Sequence, residues 1–170
     1  MDLTEAIRTK RAVRQFSDQP IPIADLLAIL NAGRRAQSSK NTQPWQFIAI
    51  TNKETLSKLS TLGQYAGHLA GAAAAIAILT PDPGQRWSIM FDAGQAAAYM
   101  QLEAWGRGIG SVPATIYEPE AARQVLGAPP EWHVNVIFSF GYPANPDDLS
   151  RPPKKGGRIA LDEVIHWEKW

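Results

Sequence analysis

Apolar positions along the chain form two amphipathic helices, then alternate between strand-like and helix-like segments. Thr4 is placed to cap a first helix through "EAIRTK", and "IADLLAIL" sets Ile23, Leu26, Leu27 and Leu30 on one helical face, with Gly33 as its terminator. A polar loop, "AQSSKNTQPWQF" (residues 36–47), leads into a strand at Phe47–Ile50, and "KETLSKLSTL" reads as a short helix. The run "AAAAIAIL" at 72–79 fits a buried strand or a helix by periodicity, but its β-branched end and the closing "TPDPG" select a central strand. From about Trp87 to Trp105, Met90, Phe91, Ala97, Ala98, Met100, Leu102 and Ala104 nearly surround the helical wheel, which marks a core helix. "GIGSVPATI" is a glycine-led turn into an extended segment, "EPEAARQVL" a helix ended by Gly127, and "HVNVIFSF" a strand. At least three strands are expected.

After "GYP" the composition changes to "ANPDDLSRPPKKGGR", too rich in proline, glycine and charge for a core, before "IALDEVIHWEKW". Residues 144–170 therefore read as a linker and arm on a single domain spanning 1–170. Ile165, Trp167 and Trp170 need a surface to cover them, and a second subunit would supply one.

With 170 residues and 45% hydrophobic content the chain can bury a real core, and its formal charge of +1 leaves no global field for nucleic acid or an anionic membrane. Any anion site must be local. The absence of cysteine excludes thiolate nucleophiles, cysteine-ligated zinc, iron–sulfur clusters and disulfides, and fits a reducing compartment. His68, His133 and His166 match no short metal-ligand spacing. No apolar run reaches the ~20 residues that cross a bilayer, and "MDLTEAIRTK" lacks a signal-peptide core, so a cytoplasmic location is expected.

"GRGIGS" lacks the helix that a dinucleotide fingerprint needs behind it, and neither a phosphate-binding GxxxxGK[ST] loop nor a GxSxG elbow occurs. Two cationic clusters remain: Arg8, Lys10, Arg11 and Arg14 near the end of the first helix, and Lys154, Lys155 and Arg158 in the tail. Either is readily a solvated face, but together they suit one phosphate. The hydroxyls and amides of residues 38–43 supply donors and acceptors for the edge of a flat heteroaromatic ring. Phosphate clamp and polar ring edge are both requirements of a flavin.

In order and spacing, "KRAVRQF" (10–16), "SSKNTQPWQF" (38–47), "GIGSVPATI" (108–116) and "KKGGR" (154–158) resemble the FMN-dependent nitroreductase family over nearly the whole chain. The resemblance implies an α+β fold with a central, mostly antiparallel sheet flanked by helices and a C-terminal arm extending onto the partner of a homodimer. It implies FMN at the subunit interface, NADH or NADPH as electron donor, and a small conjugated acceptor of nitroaromatic or quinone type reduced by a ping-pong hydride transfer at flavin N5. It places Lys10 and Arg11 at the phosphate and ribityl chain. Arg14 falls near N1 and O2, where a fixed positive charge favours the reduced ring. Ser38, Ser39 and Asn41 line the ring from the partner subunit, Gln64 faces the pyrimidine edge, Pro113, Ala114 and Thr115 pass beside the ring by their backbone, and Arg158, assisted by Lys155, closes the clamp. No side chain is required as acid or base.

Two residues depart from the family pattern: Ala12 stands where a serine usually binds phosphate, and Gln37 where a proline usually precedes the serines. The chain is also short for the family, with little to cover the pocket. Alternatives that keep the fold are a specialised flavin reductase or dehalogenase and a catalytically silent flavin-binding protein.

Overall fold

A computed structural model describes residues 1–150 and 157–170. The first helix, α1 (Leu3–Thr9), is capped by Asp2, whose carboxylate accepts the N–H of Glu5 at 2.8 Å, rather than by Thr4. A carboxylate one turn ahead satisfies the open amides and complements the helix dipole, so Thr4 joins the helix instead.

Helix α2 (Ile23–Arg34) buries Leu26, Ile29 and Gly33, while Ile23 and Leu27 are exposed at 69% and 57%. The expected stripe is thus shifted. Gly33 does not end the helix but lies inside it, where a Cβ would collide with Met100. Close packing against that methionine selects which of two apolar stripes turns inward.

The sheet comprises β1 (Gln46–Ile50), β2 (Ala74–Thr80), β3 (Gly110–Thr115) and β4 (His133–Gly141), in order β1-β2-β4-β3 with every pair antiparallel. All of β2 is buried, since it has strands on both sides and helices over both faces, which explains its unbroken apolar run. On one face α2 and α4 (Ser88–Gly106) cover Ile76, Ile78, Phe138 and Phe140. On the other, α3 (Lys53–Ser60), α5 (Pro119–Leu126) and the segment through Leu69 enclose Ala75, Ala77, Leu79 and Ile137. Helix α5 ends at Gly127 in the left-handed conformation, as its sequence requires.

The chain after α1 is pinned onto the sheet's β3 edge. Trp105 of α4 donates its indole N–H to the buried Thr9 hydroxyl at 2.9 Å, and the Val13 N–H donates to the Ser111 carbonyl at 3.2 Å. Gly110 permits this crossing, because a Cβ there would lie 2.6–2.9 Å from the Val13 side chain. At the other end of the chain α6 (Leu161–Val164) is a single exposed turn, and residues 157–170 are exposed throughout.

Candidate functional site

The crossing segment delivers Lys10, Arg11 and Arg14 to the free edge of β3. Lys10 is partly buried and donates to the Gln101 side chain of α4; burial, then the neighbouring Arg158, hold its ammonium pKa below the usual lysine value. Arg158 arrives from the tail, so cations from opposite ends of the chain converge. Arg11 donates Nε–H to the Thr9 carbonyl at 3.0 Å, whereas its Nη1 is enclosed with no hydrogen-bond partner among the described residues. Like charges held together beside an enclosed, unpartnered guanidinium nitrogen form a place for an anion. Lys155 lies outside the described residues.

Further along the same edge, Pro113 and Thr115 are exposed and Ala114 between them is buried. Beyond them the chain closes again: the Tyr117 N–H donates to the Leu62 carbonyl at 2.9 Å, and Gly63 lies so close to the Thr115 carbonyl that a Cβ could not fit. Exposed Gln64 follows directly. The β3 edge is therefore covered at Ser111 by Val13 and near Thr115 by the 62–63 turn, leaving Pro113 open between Arg14 and Gln64. Arg14 is exposed, with its guanidinium near enough to His68 to oppose protonation of that ring.

Ser38, Ser39 and Asn41 lie elsewhere. Their loop enters β1, at the opposite edge of the sheet from β3, three strand spacings or roughly 14 Å away. Lys40, Asn41 and Gln43 adopt positive φ of 53°, 54° and 46°, and the tight path is held by side chains. The Ser38 hydroxyl accepts the Gln43 N–H at 2.9 Å; Thr42 donates to the Ser39 carbonyl at 3.0 Å and accepts from Arg86 at 2.8 Å. Buried Asp92 accepts the Ser39 N–H at 3.1 and 3.2 Å. Trp45, buried behind the loop and stacked on Phe47 at 6.3 Å, is structural.

The Nitroreductase family model matches residues 7–62 and 62–142, spanning both the cationic crossing and the β3 edge. The chain belongs to the nitroreductase family. A protein of Archaeoglobus fulgidus that carries the name NADH dehydrogenase/NAD(P)H nitroreductase is 35% identical over 173 residues, covering 96% of each chain. The solved FMN-dependent nitroreductase of Clostridium difficile superposes with a TM-score of 0.85 at 27% identity, covering 98% of this chain and 99% of that one. The NADPH:FMN oxidoreductase of Vibrio harveyi, solved with NAD+, shares the fold, with a TM-score of 0.85 at 20% identity over 99% of this chain and 77% of its own.

Several residues that shape this nitroreductase site were not singled out from sequence. Asp92 had a signal, as an acid inside an otherwise apolar core helix, "SIMFDAGQAAAYM". Gln101 and Ser139 had none, and His68 stood out only as a histidine with no metal spacing. Ala12 pairs with Ser111 in a short parallel bridge, and the Ser111 hydroxyl is enclosed with no hydrogen-bond partner among the described residues.

Proposed function

We propose that this chain is a cytoplasmic FMN-dependent oxidoreductase that takes reducing equivalents from NADH or NADPH and passes them to a small conjugated acceptor, nitroaromatic or quinone, in a ping-pong sequence. The observation that carries this reading is the convergence of Lys10 and Arg158 beside Arg11, whose Nη1 is enclosed, next to an open stretch of β3 backbone. The residues present fit FMN.

FMN, when bound, supplies a ring that takes up hydride and gives up two electrons. Lys10, Arg11 and Arg158 would bind its phosphate, and the anion would offset the burial and the Arg158 repulsion that now disfavour the Lys10 ammonium; Lys155, outside the described residues, is expected to assist. Arg14 holds a fixed positive charge beside the ring's pyrimidine edge, with Gln64 supplying an amide to the same edge. Pro113, Ala114 and Thr115 present backbone to the ring, and burial of Ala114 keeps that strip rigid. One pocket serves donor and acceptor in turn, so positioning and electrostatics do the work.

The site is completed in a homodimer, where Ser38, Ser39 and Asn41 of the partner subunit line the ring. Supporting this, the loop that bears them is rigidly held at the wrong edge of its own sheet. Apolar side chains also lack cover: Leu3 and Ile7 of α1, at 67% and 60% exposure, share a groove with Tyr99 and Leu102 of α4, and Trp167 and Trp170 of the arm are exposed at 81% and 101%. Purified protein supplied with FMN should show flavin absorbance that bleaches on anaerobic addition of NADH or NADPH. Failure to take up FMN would sink the reading.

A further inference from the structure

His68 lies in the 3-10 turn Gly67–Leu69, fixed in place by buried Ala66 and Leu69 on either side of it. Its Nδ1 is 2.6 Å from the Ser139 hydroxyl of β4, which is fully buried, and Ser139 is the register partner of Val112, the residue before Pro113. Its Nε2 is enclosed with no hydrogen-bond partner among the described residues. Burial foremost, then the Arg14 guanidinium, hold the imidazole pKa below its usual value, against a smaller opposite effect of the Pro113 backbone. Helix α3, packed on the same turn, turns Lys53 away to the Ala72 carbonyl at 2.8 Å. The ring is therefore half-buried behind the open stretch of β3, in surroundings that disfavour its charged form.

The geometry points to His68 as a positioning residue for the flavin-facing strip: its neutral ring accepts the Ser139 O–H at Nδ1 and turns Nε2–H to the Pro113 carbonyl, locking β3 to β4 beside Arg14. The proposal rests on the FMN reading of that edge. Protonating the ring would set a second cation against Arg14 and force the Ser139 hydroxyl to rotate from donor to acceptor. A bound flavin, by excluding water, disfavours the charged ring further, and by linkage FMN affinity falls as pH drops through the His68 titration. Since the folded-state pKa is lowered, that loss belongs below pH 6.5, the ordinary histidine value.

Glutamine tests this cleanly, because its amide reproduces one acceptor and one donor but does not titrate. FMN dissociation constants would be measured from pH 7.5 to 5 for wild type, His68→Gln and His68→Ala, as ratios to wild type in which the phosphate's own titration cancels. His68→Ala should bind on the order of tenfold more weakly at neutral pH. His68→Gln should match wild type there and lose less affinity on acidification. Nitrogen-15 NMR of the wild-type ring should show the Nε2–H tautomer, with a titration midpoint lowered further by FMN. An alanine variant that binds as tightly as wild type, or a glutamine variant with the full acid-side loss, overturns the proposal while leaving the FMN reading intact. A wild type that binds no FMN overturns both.

Discussion

The Asp92 carboxylate accepts the backbone N–H of Ser39 at 3.1 and 3.2 Å, joining the apolar helix α4 to the loop that enters β1. A charge with 2% exposure is costly to bury, and here it holds a backbone with three residues at positive φ. Asp92→Ala should cost about 1.5–3 kcal/mol of stability, because a charge-assisted bond is lost and the partly buried Ser39 N–H loses its acceptor, while Asp92→Asn keeps an acceptor and most of the stability. Thermal denaturation of the apoprotein checks this. With Ser39 released, FMN affinity should fall in the alanine variant as well.

Arg158 lies near enough to Lys10 to disfavour its ammonium although their positions in the chain are remote. Arg158→Ala should weaken FMN by about 1–1.5 kcal/mol, roughly tenfold, a modest loss because the exposed guanidinium is screened by solvent. Titration of apoprotein with FMN measures it. An unchanged dissociation constant would place Arg158 outside the phosphate site.

Arg14 is exposed and fills no core space, so Arg14→Gln should leave the fold intact. It removes the charge that favours a reduced, more negative ring, and the flavin midpoint potential should drop on the order of 30 mV, the equivalent of about 1.4 kcal/mol for a two-electron couple. Spectroelectrochemistry gives the value. A potential that stays or rises would turn Arg14 away from the ring.

Much of the framework was legible in the residues, and its failures have physical causes. The run at 72–79 read correctly as a central strand because a strand covered on both faces has no polar alternation to preserve. Helix α2 was read with the wrong stripe because "IADLLAIL" is apolar on nearly every side. The packing of α2 on α4, including the close approach of Gly33 to Met100, is a contact between distant segments, and it leaves Ile29 inside and Ile23 and Leu27 outside. Sequence shows that a residue is apolar, not whether a core or another subunit will cover it. In the same way, "KRAVRQF" and "GIGSVPATI" announce a site by their types, but their meeting depends on Val13 crossing Gly110. His68 and Ser139, far apart and chemically ordinary, become a pair only once the turn Gly67–Leu69 is laid against β4.

In the proposed dimer FMN is held between two copies of the chain, with Lys10, Arg11 and Arg14 from one and Ser38, Ser39 and Asn41 from the other. A ligand that binds only the dimer stabilises it by mass action. Sedimentation velocity of the full-length protein and of a variant lacking residues 159–170, each with and without FMN, is the most direct test. FMN should move the monomer–dimer midpoint of the full-length protein to lower concentration, and the deletion, which keeps Arg158, should weaken both dimer and flavin retention. A truncated monomer that binds FMN as tightly as the full-length protein would contradict the shared site and return every flavin contact to a single chain.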